Sequence, residues 1–270
     1  MIGSLLLRGM LIGVLAGLVA YCFAYTFGEP QIDRAIAVEV LIGHADANEQ
    51  GHPDAHGSTD EHGAHATSSH AHDEEEVFSR ETQAGLGMLT GMLVFSATTG
   101  GIFAMLFAFL HRRIGPEDPR HFALWLASVC FVVLVVVPSV KYPANPPSVG
   151  APETIGMRTM LYFGLLVISI TASAIALRVL QRLRRYLEGW SAQMLAVGSY
   201  LVIVCLACAL LPPMSVRVPS AMPAEVLWQF RISSFGTQLV LWATLGVAFG
   251  VLTQRILPTS RSPQTAALYE

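Results

Sequence analysis

The 270-residue chain is 53% hydrophobic and only 13% charged, with a mean hydropathy of +0.53. Soluble proteins carry about 25% charged residues, so this chain lacks the polar surface that a water-soluble globule of its size requires. Its formal net charge of −3 hides a division: residues 35–79 hold ten acids and neither Lys nor Arg, leaving 16 basic against 9 acidic residues elsewhere.

In chain order, stretches free of Asp, Glu, Lys and Arg run 9–28, 82–111, 121–140, 159–177, 189–216 and 232–254. About 20 apolar residues cross about 30 Å of hydrocarbon, and a backbone with no water to bond must be helical there. Barrel strands would alternate apolar and polar positions; runs such as 131–137 do not. These features predict an all-α integral membrane protein, a polytopic bundle of about six transmembrane helices. Its expected divisions are a first span (1–28), an outward acidic, His-rich loop, largely disordered (29–81), a five-span body (82–257) and a tail (258–270). The first apolar run is longer than the 7–15 residues of a signal-peptide core, so a retained span is expected despite the Ala35-Ile36-Ala37 triplet.

Orientation follows from the basic residues. With both termini on one side, that side collects ten of the 16, seven of them arginines in loops 111–120 and 178–188. The positive-inside rule then predicts a multi-pass protein with both termini cytoplasmic and the acidic insert outside. His111 and His121, beside Arg112, Arg113 and Arg120, are expected to be interfacial anchors.

Seven of the nine histidines lie in the insert: His44, His52, His56, His62, His65, His70 and His72. Neutral imidazole is the commonest protein ligand for late first-row divalent metals, and a segment of charge −10 concentrates cations. The spacings fit no fixed finger pattern, which predicts transient capture of divalent metal. Donor type alone does not choose among Co2+, Ni2+ and Zn2+. No permanent cofactor and no nucleic acid are expected.

The spans carry no Asp, Glu, Lys or Arg, and their softer polar groups include Ser96, Ser233 and Gln238. Pairs such as Gly13/Gly17, Gly87/Gly91 and Gly246/Gly250 are expected helix contacts. Cys205 and Cys208 have the C-x-x-C spacing of a thiol oxidoreductase, but such an enzyme relays electrons through a second reactive pair, and the outer loops hold no cysteine. A non-enzymatic role is the reading preferred.

Between the third and fourth spans runs Lys141-Tyr142-Pro143-Ala144-Asn145-Pro146-Pro147-Ser148-Val149-Gly150, then Pro152-Glu153-Thr154 and Arg158-Thr159. Four prolines stiffen this loop over the bundle mouth. It resembles the signature of the predicted cobalt transporter subunit family CbtA, as do Glu29-Pro30, Gly100-Gly101 and Gly236-Thr237-Gln238-Leu239-Val240-Leu241-Trp242. The resemblance implies a bacterial inner-membrane subunit of a cobalt uptake system, working with a small single-span partner that itself bears histidines. It also implies five spans, one fewer than counted, and an acid where this chain has Ala151. On this reading Glu29, Asn145 and Glu153 are candidate oxygen ligands at the mouth. Lys141 and Tyr142 line the entry, and Gln238 lies deeper along the path. The rivals are a membrane-anchored metal sensor or chaperone without conduction and the thiol enzyme using Cys205 and Cys208.

Overall fold

A computed structural model of the chain describes residues 2–49, 82–114, 118–147, 149–214 and 218–256. Every regular element among them is helical: α1 (Ile2–Phe23), α2 (Glu29–Glu49), α3 (Met88–Ile114), α4 (Pro119–Phe131), α5 (Val137–Lys141), α6 (Ile155–Leu183), α7 (Gly189–Leu210) and α8 (Ala224–Ile256). Among the described residues, six helices are long and apolar enough to cross a membrane: Gly3–Ile42, Gln83–His111, Pro119–Lys141, Ile155–Leu183, Gly189–Leu210 and Ala224–Arg255. The expectation of six is met, and the five-span alternative is set aside.

One boundary is corrected. The first helix does not stop at residue 28; it passes through a π turn (Ala24–Gly28) into α2 and runs to Glu49. Residues 29–49 of the expected loop are therefore helix. The cause is packing: Ala35 and Val38, one turn apart, meet Val149, Met222 and Val226. Ala35, in the triplet that could mimic a cleavage site, is fully buried. From Arg8 to Glu29 the helix rises about 32 Å at about 1.5 Å per residue, one bilayer thickness, so α2 projects beyond the membrane at the end where the insert begins. The rest of the expected loop, from residue 50 to 81, lies outside the described residues.

Two π turns precede prolines. A proline lacks an N–H and its ring presses on the carbonyl four residues back, which a local widening relieves. Ala24–Gly28 stands before Pro30, and a second π turn, Val132–Val136, stands before Pro138. In the second, Val137 N–H reaches back to the Val132 carbonyl. The next carbonyl in that register, Val133, faces Pro138, which has no N–H to give. The Ser169 hydroxyl of α6 donates to it instead, at 2.8 Å. Near the first, the Ser233 hydroxyl of α8 lies 2.9 Å from the Phe27 carbonyl and 2.7 Å from the Gln229 carbonyl of its own helix, one proton shared between the two.

The core is built by α1, α3, α4 and α8. Phe103 and Phe107 of α3 meet Phe249 of α8 edge-on, with ring centroids 5.2 and 5.1 Å apart, and Phe122 of α4 closes the cluster. Lipid offers helices no hydrophobic incentive to associate, so small residues that admit close backbone approach carry the contact. Gly9, Gly13 and Gly17 place one face of α1 on Ser96, Gly100 and Ala104 of α3. A Cβ on Gly100 would lie against the Gly9 carbonyl and 2.7 Å from Gly13 Cα. Gly246 meets Ala127 of α4 in the same way, but Gly91 faces open space, so Gly87/Gly91 is not a helix contact. Helices α6 and α7 pair as a hairpin on the flank, and much of their apolar surface (Phe163, Val167, Leu201, Val202) stays exposed, as lipid-facing residues should.

Asp118 caps α4, accepting from the Arg120 backbone N–H at 2.9 Å with His121 Nδ1 at 2.6 Å. The Arg120 N–H foremost, helped by His121, holds the carboxyl below its usual pKa. A depressed folded pKa gives stability that is present above the unfolded value and lost as pH falls through the folded one. Asp118→Asn should therefore flatten the decline of the thermal midpoint below about pH 4, measured by thermal unfolding across a pH series. His111 is not merely an interfacial anchor: its ring stacks on Phe107 at 5.1 Å and meets Phe122 edge-on.

Candidate functional site

The proline loop lies over the insert end of the bundle, and its chemistry follows from a shortage of donors. Prolines 143, 146, 147 and 152 contribute carbonyls but no N–H groups, so the loop cannot satisfy itself. Two arginines supply what is missing. Arg158, one turn into α6, donates to the Val149 carbonyl at 3.2 Å and the Ala151 carbonyl at 3.5 Å. Gly150 lies under that guanidinium with φ +103°, and a Cβ there would strike it. Arg231 of α8 donates through Nε to the Ala144 carbonyl at 3.3 Å and through its terminal amine to Asn145 Oδ1 at 2.8 Å.

The same loop is tied to α7. Lys141 Nζ donates to the Cys208 carbonyl at 2.8 Å, in the last turn of α7, where a cation complements the helix dipole. The Tyr142 hydroxyl donates to the Pro212 carbonyl at 3.0 Å. A further bridge, Arg34 to Gln229 at 3.2 Å, joins α2 to α8.

The expected mouth residues therefore fall into separate environments. Lys141, Tyr142 and Asn145 share one cleft of about 560 Å³, walled also by Arg158, Tyr162, Met214 and Arg231. Glu29 is buried at the start of α2, Glu153 is exposed, and Gln238 is half-buried in α8. None of these three is among the residues that wall the cleft. His44 falls on α2, its side chain outside the description, while His52, His56, His62, His65, His70 and His72 lie outside the described residues altogether. Among the described residues, no three His, Cys, Asp or Glu side chains gather as a metal site. Cys205 is exposed and Cys208 half-buried on α7, both as free thiols.

The clamping arginines are what the sequence reading missed. A signal was available for one of them: four prolines within fourteen residues leave surplus carbonyls, and Arg158 stands one turn inside the next helix, whereas Arg231, 86 residues from Asn145, had no local mark. What the fold defines is a multi-pass integral membrane protein with a stiff loop held across one end of its bundle. Comparison with known families is unambiguous on what kind: the family model described as "Probable cobalt transporter subunit (CbtA)" matches residues 2–254. The chain belongs to that family of probable cobalt transporter subunits. No curated protein and no solved structure matches it.

Proposed function

We propose that the protein is the metal-gathering membrane subunit of a cobalt uptake system, its insert lying outside the cell and both termini in the cytoplasm of a bacterial inner membrane. The observation that carries the reading is the segment 35–79, with ten carboxylates and seven imidazoles and no Lys or Arg, in a chain of a probable cobalt transporter family. Hydrated Co2+ is drawn there by charge, held transiently by imidazole nitrogens and passed to the bundle with a small His-bearing single-span partner. Co2+ is cargo, and Ni2+ or Zn2+ would bind the same donors. Glu29 is the mouth candidate best placed to receive the ion, because α2 joins it directly to the insert.

Deleting residues 50–76 removes six of the seven insert histidines while leaving α2 whole. Cells carrying that deletion should take up cobalt several-fold more slowly at limiting external metal, with near-normal uptake at saturating metal and an unchanged amount of protein in the membrane. Unchanged uptake at limiting metal would overturn the capture role. Flux into liposomes holding the protein and its partner separates a transporter from a sensor or chaperone that binds without conducting.

A further inference from the structure

The cleft beneath the proline loop has the wrong sign for a metal cation. Lys141, Arg158 and Arg231 all line it, and no described residue in its wall is acidic. The hydrogen bonds that hold these three side chains end on uncharged oxygens: the Cys208, Val149, Ala151 and Ala144 carbonyls and the Asn145 amide. Their positive charges therefore converge on the cleft. A guanidinium carries five N–H donors and an ammonium three, so each clamp leaves donors over. Arg158 Nε is itself shielded from solvent and has no hydrogen-bond partner among the described residues.

The apolar part of the wall gives the ligand's other half. Ile155, Thr159 and Phe163 occupy successive turns of α6, running about 12 Å into the span from its first residue. All three are exposed on the flank that faces lipid. A cluster of cations at the membrane boundary thus opens onto a greasy furrow descending into the hydrocarbon. We propose that this cleft binds one anionic glycerophospholipid, its headgroup phosphate on Lys141, Arg158 and Arg231 and an acyl chain along Ile155, Thr159 and Phe163. A free inorganic anion would satisfy the cations but not the furrow, and a neutral lipid the furrow but not the cations. Guanidinium–phosphate pairing is short and charge-assisted. This site does not depend on how the metal is gathered.

The test uses the purified full-length protein and a fluorescent phosphatidylglycerol, with phosphatidylcholine and inorganic phosphate as competitors. Wild-type protein should prefer phosphatidylglycerol to phosphatidylcholine, and inorganic phosphate should compete poorly. Arg231→Gln should weaken phosphatidylglycerol binding about tenfold, the loss of a charge-assisted contact. Because Arg231 also holds the loop, Thr159→Trp provides the independent variant: it fills the furrow from an exposed position, touches no clamp, and should weaken binding by a similar factor with an unchanged thermal midpoint. Equal binding of the two lipids, or wild-type affinity in Thr159→Trp, overturns the proposal. Competition by inorganic phosphate as strong as by phosphatidylglycerol also overturns it, assigning the cations to a soluble anion.

Discussion

Gly100→Leu should leave little folded protein, whereas Gly91→Leu, nine residues earlier on the same helix, should be close to silent. The contrast follows from what each position faces. Gly91 looks into open space, while a Cβ on Gly100 meets the backbone of α1 at Gly9 and Gly13. Backbone cannot swing away as a side chain can, so α1 and α3 must separate along their length. In doing so they lose the Gly13 and Gly17 contacts with Ser96 as well. Overpacking a well-filled core costs about 1–3 kcal/mol, and a leucine in a backbone-to-backbone contact belongs at the top of that range or beyond it. Gly100→Ala should be intermediate, with its thermal midpoint several degrees below wild type. Thermal unfolding in detergent, with limited proteolysis of the α1–α3 pair, reads the series. Equal midpoints for the Gly91 and Gly100 leucine variants would show that the close approach of these helices does not stabilise the bundle.

The spans were legible in the sequence because the bilayer imposes a simple length and polarity rule: each of the six uncharged runs holds one membrane-length helix, five of them lying wholly within it and the run 189–216 leaving its helix at Leu210. Where the first helix ends was not legible, because nothing local marks it. Pro30 reads as a break, yet a π turn absorbs it, and the stripe that keeps α2 helical (Ala35 and Val38) is recognisable only once Val149 and Val226 are known to face it. The candidate site was legible in composition but not in role. Asn145 reads as an oxygen ligand, and in the fold its oxygen accepts from Arg231, 86 residues away. Lys141 reads as a group at the entry, and it seals the last turn of α7, 67 residues on. Such pairings depend on which helices stand side by side, which hydropathy does not encode.

Together these bonds explain why so polar a loop can sit across an apolar bundle. Its carbonyls outnumber its own donors, and α6 and α8 each send one arginine from within their first two turns to meet them. The loop is thereby held to the helix ends by five hydrogen bonds from three cations. What keeps it in place is also what charges the cleft beneath it. A metal cation would meet that charge as repulsion.

Ser169→Ala should cost about 1–3 kcal/mol, large for the loss of one hydroxyl, because it leaves a buried carbonyl with no donor. Ser169 is fully buried, its hydroxyl donating to Val133 and lying 2.9 Å from the Tyr200 hydroxyl, so one small side chain links α6 to the π turn before α5 and to α7. The Val133 carbonyl is in need only because Pro138 has no N–H, and in hydrocarbon no water can substitute. This origin makes the prediction specific. In a Pro138→Ala background a backbone N–H becomes available, the helix can satisfy Val133 itself, and Ser169→Ala should then cost much less. The double-mutant cycle should show a coupling of about 1 kcal/mol or more, read from thermal or denaturant unfolding in a single detergent. Tyr200→Phe, which leaves the Ser169–Val133 bond intact, should be milder than Ser169→Ala in either background. Strict additivity of the proline and serine substitutions would mean that Val133 finds its donor elsewhere. The serine would then be an ordinary packing residue, not the group that lets a proline stand inside a membrane helix.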